Sequence, residues 1–179
     1  VVRWIGLSVP LVYHLAGIIS GLALLLTAYY FICQMIDTLT ERRYLFALLG
    51  FSSGFGWLMI GFGELLSTDL TVPESNTFFT LMHCPHFSLS QTLILVIVLS
   101  FASGKDSWKR RTVIGTAACI LLVLVQPFML FVVFGTLGLY GLAVWKRDQR
   151  MPLRLIVQGS TSLLVILPVL IMSYRAIYD

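Results

Sequence analysis

The sequence predicts an all-α fold: a polytopic transmembrane helix bundle of about six membrane segments, with one structured outer loop between segments two and three. Three observations carry this. Of the 179 residues, 58% are hydrophobic and only 11% charged, where an ordinary soluble domain carries about a quarter charged. Mean hydropathy is +0.93. Apolar runs of membrane length also recur, since about 20 apolar residues cross a hydrocarbon core of about 30 Å at about 1.5 Å each. The first two exclude a soluble globular protein, and the same apolar surplus excludes a disordered chain.

The first run, 10–36, opens on Pro10, a residue tolerated at a helix start. The second covers 44–63 and the third 85–103. A last run, 155–174, contains Pro168, which is expected to kink it. The stretch 112–145 has no charged residue and would make a single helix of about 50 Å. Gln126-Pro127 lies near its middle. Because proline removes a backbone donor and disfavours helix in the residue before it, the stretch divides into 112–125 and 127–145. The shorter piece is the weakest of the six as a full span, and a re-entrant course is its alternative.

Charge tests the division. With six crossings, Arg42 and Arg43, then Lys105, Lys109, Arg110 and Arg111, then Lys146, Arg147, Arg150 and Arg154 all fall on one side, leaving Arg3 and Arg175 on the other. A single crossing of 112–145 would move the third cluster to the opposite side, against the tendency of basic residues to stay cytoplasmic. The net charge of +4 is thereby explained by membrane orientation; the clusters form no basic face, and nucleic acid is not an expected partner. Cys33, Cys84 and Cys119 are odd in number and form no CxxC pair, so neither a disulfide nor a zinc framework is legible. Val1 is not an initiator methionine, no signal-peptide pattern precedes the first run, and the chain stops at Asp179 directly after an apolar one. It reads as one transmembrane domain, 1–179, internal to a longer protein.

Small residues recur at helix-packing spacing: Gly17 with Gly21, Gly50 with Gly54, and Gly135, Gly138 and Gly141. They indicate close helix approach and name no activity. Gly54-Phe55-Gly56 lacks the preceding strand and third glycine of a dinucleotide site.

Chemistry concentrates in the loop 64–84, which holds Asp69, Glu74, Asn76 and His83 and no Lys or Arg, with His86 just inside the next helix. One reading is a solvated outer loop. The other is a segment folded back on the helix ends, because the polar residues alternate with Phe78, Phe79 and Met82. A carboxylate at a water–lipid boundary, Asp69 or Glu74, suits a general base or an oxygen ligand for a divalent cation. Glu74, His83 and His86 offer a two-histidine, one-carboxylate metal set, although Pro85 stands between the histidines. His14, beside Tyr13, reads as an interfacial packing residue. Trp4, Trp57, Trp108 and Trp145 lie near segment boundaries, where indole rings anchor. Gln126 either faces the same outer cavity as the loop or bonds carbonyls freed by Pro127.

Three stretches together resemble a family: Ser52-Ser53-Gly54-Phe55-Gly56-Trp57; Asp69-Leu70-Thr71-Val72-Pro73-Glu74-Ser75-Asn76-Thr77-Phe78; and Pro85-His86-Phe87 opening the next helix. They look like multi-spanning bacterial membrane proteins of the GT-C-like glycosyltransferase group, and Gln126-Pro127-Phe128 is similar to the proline break those proteins carry between late helices. The resemblance covers most of the chain in organisation and is motif-specific across 52–87. It implies a bacterial plasma-membrane enzyme that moves a sugar from a polyprenyl-phosphate-linked donor to an acceptor on the outer face, by inverting displacement with a carboxylate base. The family's principal acid sits in a loop between its first two helices, which this chain lacks, so Asp69 and Glu74 belong to the same cavity as catalytic candidates. Asn76, His83, His86, Gln126 and Trp57 are the substrate-binding candidates, since hydroxyls bond Asn, His and Gln while apolar sugar faces lie on aromatic rings. Arg3, Arg175 or a divalent cation would meet the lipid phosphate.

Two rivals stand beside it. A transporter or permease places polar groups near the bilayer midplane, where this sequence shows Ser, Thr, Cys and Gly. A non-catalytic scaffold needs only the small-residue helix faces, and the oligomeric state stays open.

Overall fold

The computed structural model describes residues 6, 8–51, 85–102, 107–149 and 152–178, with side chains at 51, 173, 174 and 176–178 left aside. Among the described residues there are six helices and no strand: α1 Val9–Met35, α2 Leu39–Phe51, α3 Pro85–Ala102, α4 Trp108–Val125, α5 Met129–Asp148 and α6 Leu153–Tyr178. Four are long and apolar enough to cross a membrane: α1, α3, α5, and α6 over Leu153–Met172. The protein is a multi-pass membrane protein. Its residues form two compact units, 1–92 and 93–179, divided within α3.

In the first unit, α1 begins with Pro10 in its first turn, as expected, and buries a stripe of Ser20, Gly21, Leu24, Ala28 and Ile32. These fall one helical turn apart and face one way. The Ser20 hydroxyl donates to the Ala16 carbonyl at 2.7 Å, which satisfies it locally inside an apolar helix. Gly17 allows the start of α3 to come close, for a methyl there would meet Pro85 at 3.8 Å. Tyr29 of α1 meets Phe46 of α2 edge to face at 5.4 Å.

The turn between α1 and α2 is closed by Arg42, whose Nε donates to the Ile36 carbonyl at 2.6 Å. That carbonyl belongs to the last turn of α1 and lacks a helical partner. The helix α2 starts at Leu39, five residues before the expected 44, because Thr38 accepts the Arg42 amide and the charged residues continue the helix out of the apolar run. Arg42→Ala is expected to destabilise this corner by about 1–2 kcal/mol, read as a lower unfolding midpoint in detergent with unchanged helix content.

The second unit has a continuous core of Leu93, Ile97 and Phe101 from α3, Ala118, Cys119, Leu122 and Val123 from α4, Leu130, Val133 and Leu137 from α5, and Ile166 from α6. Its closest approach is at Gly115, where a Cβ would overlap the ring of buried Phe101. Of the glycines singled out in α5, Gly141 is tightly placed, 3.1 Å from Leu155 by the same measure, while Gly135 and Gly138 have open space.

A polar ladder fixes the direction of the helices. Gln158 of α6 donates to the Thr112 hydroxyl at 3.0 Å, and Ser162 bonds Thr116 at 2.8 Å. Four residues along α4 match four residues along α6, so the two run in the same direction, and α5 must carry the chain back between them. The stretch 112–145 therefore turns around. The turn is where proline was expected to put it: α4 ends at Val125, Gln126 is extended at φ −152°, and the Met129 amide already bonds the Gln126 carbonyl. Lys109, Arg110 and Arg111 at the start of α4 consequently share one end of the unit with Lys146 and Arg147 of α5 and Arg154 of α6.

Other boundaries differ for local reasons. The fourth helix begins at Trp108, before the expected 112, and so gains a turn that makes it about 27 Å long instead of about 21 Å. It runs beside α6, but it is not among the four helices long and apolar enough to cross a membrane. The fifth starts at Met129, because Pro127 and Phe128 make the turn, and ends at Gln149, whose left-handed φ of 53° stops the helix while its side-chain amide donates to the Lys146 carbonyl. The sixth covers 153–178 and stays helical through Pro168.

Candidate functional site

Of the candidate site residues, Trp57, Asp69, Glu74, Asn76 and His83 lie outside the described residues. The two that are described, His86 and Gln126, belong to different units; His86 stands at the start of α3, and Gln126 at the end of α4 away from that unit's basic end.

His86 is the second residue of α3, directly after the proline that opens it. It is solvent-facing, its ring lies 4.1 Å from that of Phe87, and its carbonyl accepts the Ser90 hydroxyl at 2.7 Å. Ser88, Ser90 and Thr92 below it are buried, and the Thr92 hydroxyl donates to the Ser88 carbonyl at 2.7 Å. The start of α3 is thus a hydroxyl-rich segment below an exposed imidazole. No group of three His, Cys, Asp or Glu side chains comes together among the described residues; two of the three proposed metal ligands, Glu74 and His83, lie outside that set.

Gln126 is the more unusual group. Its side chain is only 6% exposed, at the corner between α4 and α5, and Oε1 has no hydrogen-bond partner among the described residues. Its backbone is satisfied, donating to the Leu122 carbonyl at 2.7 Å. Bonding the carbonyls freed by Pro127, one of its two expected roles, would fall to Nε2, so the unpartnered Oε1 leaves that role open. A buried amide oxygen without a donor costs about 1–3 kcal/mol, so such a group is ready to accept a hydrogen bond from something else.

His14 is exposed near the start of α1 and meets the Tyr13 ring edge-on at 6.2 Å, in keeping with a packing role at the interface. Trp108 and Trp145 are about half exposed at the basic end, as boundary anchors should be.

Two features of the second unit were not read from the sequence. One is the ladder of Thr112, Thr116, Gln158 and Ser162, whose signal was present as two pairs of polar residues spaced by four in separate apolar runs. Its bonds should be worth about 0.6–1.7 kcal/mol of coupling; a double-mutant cycle of Thr116→Val and Ser162→Ala checks this, and zero coupling would mean the bond does not hold α4 to α6. The other is Arg111, nine-tenths buried at the basic end with no partner for Nε among the described residues.

No family model matches this sequence, and no curated protein or solved structure matches it either.

Proposed function

We propose that the chain is part of an integral membrane glycosyltransferase of the bacterial plasma membrane, transferring a sugar from a polyprenyl-phosphate-linked donor at the face opposite the basic clusters. Asp69 or Glu74 acts as the general base. Asn76, His83, His86, Gln126 and Trp57 bind the sugar, and a divalent cation or arginine meets the lipid phosphate. The observation that carries this reading furthest is the buried, unpartnered Gln126 Oε1 at the non-basic end of α4, an acceptor suited to a sugar hydroxyl. Exposed His86, its ring tilted against that of Phe87 at the start of α3, supports it. By contrast, Thr112 and Thr116 of α4 bond Gln158 and Ser162 of α6, which suits a static interface better than a solute path.

The test uses the full-length protein in liposomes with a labelled polyprenyl-phosphate hexose. Gln126→Leu is expected to raise KM about tenfold, the loss of one hydrogen bond of about 1.4 kcal/mol. It should leave stability equal or higher, because an unsatisfied polar group is replaced by an apolar one. Unchanged kinetics would separate Gln126 from the substrate, and no transfer by the wild-type protein would remove the enzyme reading.

A further inference from the structure

A groove of about 400 Å³ runs between α5 and α6. Trp145 and Pro152 mark its basic end, Phe134 and Leu163 the other, and Gly138 and Gly159 form part of its floor. Both glycines leave open space where a side chain would stand. Its length from 134 to 145 is about 16 Å along α5, close to half of the hydrocarbon core, the depth of one leaflet. Its walls are almost wholly apolar, whereas its mouth is basic: Lys146 follows Trp145 and Arg154 follows Pro152 by two residues. Arg147, also there, is paired with Asp148 at 2.7 Å, so the local acid is engaged, while among the described residues Lys146 and Arg154 have no ion pair.

We infer that this groove holds one acyl chain of an anionic phospholipid of the leaflet at the basic end, with the lipid phosphate between Lys146 and Arg154. A zwitterionic lipid fits the apolar walls equally well and gains less at the mouth, since basic residues at a membrane surface favour anionic headgroups. A helix from elsewhere would meet the small residues but has no use for cations beside a channel one leaflet deep.

The test reads Trp145, the indole in the groove, in a full-length protein whose Trp4, Trp57 and Trp108 are replaced by phenylalanine. It is placed in phosphatidylcholine vesicles containing phosphatidylglycerol or phosphatidylcholine with brominated acyl chains, which quench tryptophan on contact. Brominated phosphatidylglycerol should reach half-maximal quenching at about fivefold lower mole fraction. Lys146→Gln with Arg154→Gln should remove that preference, and Gly138→Leu, which fills open space, should weaken quenching by both lipids. Equal quenching by the two lipids in the parent protein, a preference that survives the charge variant, or quenching unaltered by Gly138→Leu would each overturn the inference. So would no quenching by either lipid, which would mean that protein covers the groove.

Discussion

Replacing Gly115 with leucine should destabilise the second unit by about 3 kcal/mol, at the upper end of what overpacking a closed core costs. Even a Cβ at this position overlaps the Phe101 ring, and Phe101 is buried among α3 and α4 side chains, with little room to withdraw. The loss should appear as a lower midpoint of unfolding in a denaturing-detergent titration. Two controls make the cause specific. Gly138→Leu, where no neighbour stands within 4 Å, should change stability by less than about 0.5 kcal/mol. Adding Phe101→Ala to Gly115→Leu should recover part of the loss, because the smaller residue empties the space that leucine enters. If Gly115→Leu behaves like Gly138→Leu, α3 and α4 do not meet at this point.

The second large effect concerns chemistry. In the full-length protein, Asp69→Asn or Glu74→Gln should lower sugar transfer about 10²–10⁴-fold, the usual contribution of a general base, while the protein still inserts and accumulates. Both substitutions keep the side-chain shape and remove the carboxylate's ability to take a proton. The residue acting as base should lose kcat and kcat/KM together, since proton transfer occurs in the transition state. A residue that only binds should mainly raise KM. Normal turnover in both variants would take the acids out of the mechanism and leave a scaffold as the better description.

The helices themselves were legible, and so was the break at Gln126-Pro127, because apolar run length and the missing proline donor act locally. The ends were less so. Helices α2 and α4 begin four or five residues early because Glu41, Arg42, Lys109 and Arg110 sustain helix at the interface, whereas apolar runs mark only the hydrocarbon core. Gly115 was invisible for a different reason: it forms no small-residue pair within its own helix, and its importance arises from the Phe101 ring on another. The Gln158 ladder likewise needs the register between α4 and α6, which no single segment encodes. Gln126 was legible as a polar group at a break, but not as a buried oxygen without a donor, since that depends on the packing of the corner. For Asp69, Glu74 and their loop, the sequence remains the source of the reading.

Helices α4 and α5 form a turn-around pair, which brings Lys109, Arg110 and Arg111 together with Lys146, Arg147 and Arg154 at one end of the second unit. Single cysteines at positions 67, 107 and 149, in a full-length protein with Cys33, Cys84 and Cys119 replaced, test this in intact cells with a membrane-impermeant thiol reagent. Position 67 should label from outside, and positions 107 and 149 only after permeabilisation. Labelling of 149 together with 67 in intact cells would mean that 112–145 crosses once, and would contradict both the topology and the placement of the proposed site.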